Sequence, residues 1–153
     1  TPEPVEALEV GDLGVVVLEY LPDFRTLDEL DRAAVAELAP TLFETLRTIH
    51  DAGLAHGDLR AENVLVRDGD LYVIDATSVS EEGRESARSY DLASALAALE
   101  PLVGASTAID AALASYSADE LLAARQFLDF VAIRPDHDFE AAELKGELEK
   151  RTT

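Results

Sequence analysis

Two short apolar runs, Val64-Leu65-Val66 and Leu71-Tyr72-Val73-Ile74, flank the pair Asp68-Gly69. An Asp-Gly pair between such runs is the strongest local signal for an antiparallel hairpin, because the tight turn needs left-handed backbone that Gly and Asp tolerate best. The hairpin interrupts a chain whose longer patterns are helical. The fold must therefore seat a small two-stranded unit against helices. The order of strands, helices, one hairpin and then helices alone describes an α+β domain.

Upstream, Val5 to Val10 and Gly14 to Tyr20 read as two strands turning at Gly11-Asp12. Leu21-Pro22-Asp23 ends the second, and a short helical patch follows from Thr26 to Leu30. From Asp31, a natural N-cap, apolar residues recur at helical spacing through Val35, Leu38, Leu42, Leu46 and Ile49 and stop at Gly53. Pro40 lies inside this run and is expected to kink the helix or divide it in two. Beyond the hairpin, Ser78 to Ser86 reads as polar loop, and helices are expected over Ala87 to Val103, Ala105 to Ser115, Ala118 to Val131 and Phe139 to Lys150. The third of these opens on Ser117-Ala118-Asp119-Glu120, a capping box. Ala111, Leu113, Leu121, Leu122, Phe127 and Phe130 fall at packing positions.

A length of 153 residues suffices for one core rather than two. Asp and Glu number 32 against 12 Lys and Arg, a formal net charge of -20, yet 48% of the residues are hydrophobic. Such a chain buries a core and carries its acidity outside. An acidic skin repels phosphate backbones and anionic headgroups, which argues against general nucleic-acid or membrane-surface binding. With no cysteine there is no thiolate chemistry, as fits a reducing, cytoplasmic setting, and any metal must take oxygen or imidazole ligands. No apolar run approaches the roughly 18 to 20 residues of a membrane span, and Thr1-Pro2-Glu3-Pro4 lacks the start of a signal peptide. Lys145 and Lys150 are the only lysines. Acid-rich and lysine-poor is the balance of proteins from salt-in halophiles, a merely acidic mesophilic protein being the alternative.

Between the first long helix and the hairpin stands His56-Gly57-Asp58-Leu59-Arg60-Ala61-Glu62-Asn63, and the hairpin's second strand ends at Asp75. Asp58 is an acid on a loop, Asn63 and Asp75 are oxygen donors at corresponding ends of a tight hairpin, and Asp91 opens an apolar helix. Phosphoryl transfer needs a group that orients or deprotonates a hydroxyl, together with hard oxygen ligands of the kind magnesium takes beside phosphates and water. Singly, each residue has an ordinary use as a cap, a turn residue or a packed histidine. Their order and spacing together carry the signal.

The set resembles the catalytic centre of protein-kinase-like phosphotransferases. The resemblance implies a mainly helical C-terminal lobe with a small catalytic hairpin, residues 1–22 forming the last N-lobe strands and the hinge, and residues 23–153 forming the lobe. It implies ATP and Mg2+ as cofactors, Asp58 as catalytic base, His56 as a brace for the metal-binding aspartate, Asn63 and Asp75 on the metal, and Asp91 as the buried acceptor of catalytic-loop amides. Within Val15-Val16-Val17-Leu18-Glu19-Tyr20-Leu21-Pro22 it implies Leu18 as gatekeeper, the Glu19 carbonyl and Leu21 amide facing the adenine edge, and Leu65 beneath the ring. A plain buried strand explains the three valines equally well. Arg60 stands where many kinases place a phosphate-contacting lysine, and is otherwise a surface arginine.

Two departures narrow the resemblance. Only 15 residues separate Asp75 from Asp91, Asp75-Ala76-Thr77 replaces Asp-Phe-Gly, and no Ala-Pro-Glu occurs, so a long activation loop does not fit. With His-Gly-Asp-Leu in place of His-Arg-Asp, this points to atypical relatives: RIO-type kinases, the small kinase partnered with tRNA-modification complexes, and aminoglycoside or choline phosphotransferases. About 13 residues precede the hinge strand, whereas a glycine-rich hairpin, a lysine strand and its partner helix take roughly 40 or more. An N-lobe supplied by a longer parent chain is therefore expected, loss of an initiator methionine before Thr1 being the alternative. The expected function is an atypical serine/threonine-type kinase passing the γ-phosphate of ATP to a hydroxyl of a protein or small molecule. A pseudokinase or regulatory interaction domain, and a small-molecule kinase, are the alternatives. His137, between Asp136 and Asp138, is either a metal ligand or part of a solvated acidic loop.

Overall fold

Gly11, at φ 64°, turns the first two strands into an antiparallel ribbon, β1 (Pro4–Val10) and β2 (Leu13–Leu18), with Val10 facing Leu13 across a two-residue turn. The structure, a computed structural model, describes residues 2–76 and 84–152. β2 stops two residues short of the expected Tyr20. The ribbon packs chiefly on itself, leaving Val16 60% and Leu13 69% exposed, so its valines are not a plain buried strand.

A second sheet has the order β3 (Arg25–Thr26), β4 (Val64–Arg67), β5 (Asp70–Val73), antiparallel throughout. The β4–β5 turn carries Asp68 at φ 52° and Gly69 at φ 80°, the doubly left-handed turn that the Asp-Gly pair demands. β3 was not anticipated, since two residues are too few to show alternation. Thr26 then caps a 3-10 turn over Leu27–Glu29, its amide donating to the Glu29 carboxylate at 2.8 Å.

Helix α1 (Arg32–Asp51) starts at Asp31, whose side chain accepts from the Ala34 amide at 2.8 Å. Pro40 does not divide it. The proline is exposed, and the buried stripe of Val35, Ala39, Leu42, Phe43, Leu46 and His50 runs past it, so packing outweighs the one backbone bond it removes. The helix closes where Gly53, at φ 79°, donates to the His50 carbonyl and Leu54 donates to that of Ile49.

The remaining helices are α2 (Arg84–Val103), α3 (Ala105–Leu113), α4 (Ala118–Arg125), α5 (Leu128–Ile133) and α6 (Ala141–Thr152). α2 begins before the expected Ala87, so residues 84–86 are helix rather than loop; the rest of that expected loop after Ala76 lies outside the described residues. The single helix expected over 118–131 is two, parted where the Phe127 amide closes a tight turn on the Ala124 carbonyl at 2.9 Å. Leu121, Ala124, Leu128 and Val131 keep one buried stripe across the break. Leu122 and Phe130 fall off that stripe and are 40% and 62% exposed, so they are not core positions.

α2 is the central helix, packed against α1, α3, α4, α5 and α6. Leu92, Ala93, Ala95, Leu96, Ala97 and Leu99 are buried around it, alanines letting neighbours approach where leucines fill the gaps. This rigid helix presents Tyr90 and Asp91 to the loop between α1 and β4.

Candidate active site

The Asp91 side chain is fully buried and accepts three hydrogen bonds. Oδ2 takes the His56 amide at 2.6 Å and His50 Nε2 at 3.0 Å, and Oδ1 takes the Gly57 amide at 2.8 Å. Because a carboxylate only accepts, His50 donates from Nε2, and its Nδ1 lies 2.9 Å from the Tyr116 hydroxyl. Burial pushes the Tyr116 phenol well above its usual range. α1, α2 and the turn after α3 thus converge on one acid that fixes the start of the loop. Gly57 sits at φ 83°, left-handed backbone in which a side chain costs roughly 1–2 kcal/mol.

His56 ties this loop to the hairpin. Its Nδ1 accepts from the Asp58 amide at 3.2 Å, so Nε2 carries the proton and donates to the Ile74 carbonyl at 2.7 Å, one residue before Asp75. Asn63 is buried, its Nδ2 donating to the Asp58 carbonyl at 2.9 Å and its own carbonyl accepting from the Ile74 amide at 3.0 Å. Asp75 follows, exposed and left-handed at φ 58°. Left-handed backbone at a non-glycine residue is strained and collects at functional sites. His56, Asp58, Arg60, Asn63 and Asp91 are therefore joined in one hydrogen-bonded neighbourhood, and Asp75 follows Ile74, the residue that His56 and Asn63 hold.

The Asp58 carboxylate, 16% exposed, meets two guanidinium groups. Arg60 donates to Oδ2 at 3.1 Å and Arg134 to Oδ1 at 2.9 Å. Arg60 also pairs with Glu62 at 2.6 Å. Sequence reasoning missed Arg134 and Tyr90, whose hydroxyl accepts from Arg134 at 3.0 Å, because contacts spanning 76 residues leave no local pattern. His50 was missed too, though its place at the helix end, on the buried stripe, marked it.

Leu65 is buried on the face of β4 opposite Val64 and Val66, which belong to the main core. Leu21 is also buried outside that core. Leu18 ends the exposed ribbon at 48% exposure, and the Glu19 amide is bonded to the Glu3 carbonyl at 2.9 Å. His137 is held below its ordinary range by burial and by the Arg134 cation, and its ring meets Phe139 edge-on. Among the described residues no group of three or more His, Asp or Glu side chains is placed to hold a metal.

The family model described as the RIO domain matches residues 1–91. The KEOPS complex subunit Bud32 of Pyrococcus abyssi is 31% identical over 81 residues, covering 51% of this chain and 37% of that protein. A probable bifunctional tRNA threonylcarbamoyladenosine biosynthesis protein of Methanothermobacter thermautotrophicus is 36% identical over 64 residues, 42% of this chain and 11% of that one. The matches thus span little more than a third of the first relative and about a ninth of the second. Among solved structures, the PAN3 pseudokinase of Drosophila melanogaster aligns over 98% of this chain and 49% of its own, with a TM-score of 0.49 and 18% identity. Among the described residues no helix is long and apolar enough to cross a membrane.

Proposed function

The chain belongs to the RIO domain family, an atypical branch of the protein-kinase-like fold, and from that premise we propose that it carries the catalytic lobe of an ATP-dependent phosphotransferase. The observation that supports this most is the bonding of one loop and one hairpin: His56 ties Asp58 to the carbonyl before Asp75, and Asn63 ties Asp58 to the hairpin. In the proposed reaction an acceptor hydroxyl oxygen attacks the γ-phosphorus of ATP, the bond to the β–γ bridging oxygen breaks, and ADP leaves. Asp58 orients the hydroxyl and takes its proton. Arg60 stands beside it as a bidentate donor for the transferred phosphate.

Asn63 and Asp75 would hold Mg2+, which when bound neutralises phosphate charge; a carboxamide and an exposed carboxylate are the hard oxygen donors it takes. His56, a neutral imidazole in this geometry, positions the hairpin end rather than moving protons. Leu18, Glu19 and Leu21 form the hinge in this proposal, Leu65 lies under the adenine, and the exposed ribbon of β1 and β2 meets an N-lobe carrying the glycine-rich loop and lysine. The names of the two curated relatives place one in the KEOPS complex and the other in tRNA modification, so a protein acceptor within such an assembly is the proposed partner. A cytoplasmic location and a salt-rich cell complete the proposal.

The test is ATP turnover by the full-length protein and its Asp58→Asn variant. The variant is expected to lose about 100-fold or more in kcat. Equal turnover would overturn the assignment.

A further inference from the structure

Arg134 lies outside the stretch that the family model matches, yet its guanidinium contacts the proposed catalytic base. Three features define its place. It is the C-cap residue of α5 and precedes Pro135, which holds it in extended backbone at ψ 132° and ends the helix there. Its fork is divided between a helix and two loop residues: Nη1 donates to the Tyr90 hydroxyl of α2 at 3.0 Å, while Nη2 donates to Asp58 Oδ1 at 2.9 Å and Asp136 Oδ2 at 2.9 Å. Tyr90 is the immediate neighbour of Asp91, the anchor of the loop backbone.

The same two residues of α2 therefore hold both parts of the loop: Asp91 fixes the amides of His56 and Gly57, and Tyr90, through Arg134, fixes the Asp58 side chain. The guanidinium is planar and rigid, so anchoring one nitrogen on Tyr90 sets the direction from which the other meets the carboxylate. A carboxylate oxygen accepts about two hydrogen bonds, so one arginine on each oxygen orients Asp58 while leaving acceptor capacity for a hydroxyl. Arg134 is already neutralised by Asp58 and Asp136, which leaves the phosphate-contacting role proposed above to Arg60.

We propose that Arg134 is a positioning residue that locks the Asp58 carboxylate in line for the acceptor hydroxyl, using Tyr90 as its fixed point. The inference rests on the phosphotransferase reading and adds to it a residue from the C-terminal helices. Misplacing a base by an ångström costs catalysis up to about 100-fold, so Arg134→Ala is expected to lower kcat about 10- to 100-fold with little change in KM for ATP. Arg134→Lys, which keeps the charge without the fork, should recover only part of it. Millimolar guanidinium added to Arg134→Ala should restore turnover in part, which a merely structural defect would not allow.

The test is steady-state kinetics of the full-length protein carrying Arg134→Ala, Arg134→Lys, Asp58→Asn and the Asp58→Asn/Arg134→Ala pair, with melting temperature and hydrogen exchange of residues 56–60 measured on each. Support is a kcat loss in Arg134→Ala that vanishes in the Asp58→Asn background, with faster exchange at 58–60 and an unchanged melting temperature. Wild-type kinetics in Arg134→Ala, beside an inactive Asp58→Asn, would overturn this inference and leave the phosphotransferase reading standing. No loss in Asp58→Asn, or no turnover in the wild type, would overturn both. A loss in Arg134→Ala that is the same size with Asn at 58, or that tracks the melting temperature, would also overturn the positioning role.

Discussion

At the scale of single residues, the site depends on one buried acid more than on any exposed one. Asp91, fully buried, accepts from two loop amides and an imidazole. Removing it leaves three donors buried without a partner, and each such loss costs about 1–3 kcal/mol. Asp91→Ala is therefore expected to lower the unfolding free energy by roughly 3 kcal/mol or more, read from the urea midpoint, whereas Asp91→Asn, which keeps one acceptor oxygen, should lose less. A loss below about 1 kcal/mol in the alanine variant would show that the loop finds other acceptors. Asp91, His56, Asp58, Asn63 and Asp75 could be picked out of the sequence as candidates because they stand in a local order: helix end, loop, hairpin, helix start. Arg134 could not, because its contact with Asp58 exists only once α5 has packed on α2. Its sequence neighbours, Pro135 and Asp136, mark a helix end and say nothing of what the arginine faces.

At the scale of elements, local rules decided starts and packing decided the rest. Asp31 and Ser117 cap their helices as their side chains require, and Gly53 closes α1. Pro40 broke the rule for its helix because the buried stripe continued past it, and the break at Gln126–Phe127 carried no proline or glycine to announce it. The Ser117 cap makes a further prediction. Its hydroxyl accepts from the Glu120 amide at 3.3 Å, and Glu120 returns a bond to the Ser117 amide at 2.8 Å. Burial works against the Glu120 charge, but the Ser117 bonds and the Arg47 guanidinium hold its carboxyl below the usual range. The unfolded chain therefore binds that proton more readily than the folded one. The stabilisation is fully present above about pH 4.5, the ordinary value, and is lost as the pH falls through the lower folded value. Ser117→Ala is expected to cost about 1 kcal/mol at pH 7. Melting curves of Glu120→Gln and wild type should differ at pH 7 and draw together as the pH falls below about 4.5; a gap that stays constant over that range would show that the charge contributes nothing.

At the scale of the whole molecule, two opposite surfaces set its behaviour. The ribbon of β1 and β2 exposes valines and leucines on both sides, although an isolated two-stranded unit is marginal in water. Whether a valine run is buried depends on what packs against it, which no local pattern reports; this is why Val15, Val16 and Val17 were ambiguous in the sequence. The chain as a whole carries a formal charge of -20 and repels itself. Many acids are already paired, as Arg151 is with Asp110 and Glu147, Lys145 with Asp129, and Arg47 with Glu120 and Asp51. With 32 acids and 12 Lys and Arg, pairing cannot reach them all, and exposed Glu37 and Glu44 lie along one helix with the excess. The Debye length falls from about 10 Å in 0.1 M salt to about 3 Å at 1 M, so added salt weakens repulsion between unpaired acids more than it weakens contacts near 3 Å. The melting temperature is therefore expected to rise by about 2–4 °C between 0.1 and 1 M KCl, the shift that roughly 1 kcal/mol produces in a domain of this size. Glu37→Gln and Glu44→Gln together should raise the low-salt melting temperature and flatten the salt response, because they remove repulsion without touching the core. Calorimetry in KCl reads both effects, and a melting temperature that falls with salt would mean that the paired charges, rather than the unpaired excess, govern stability.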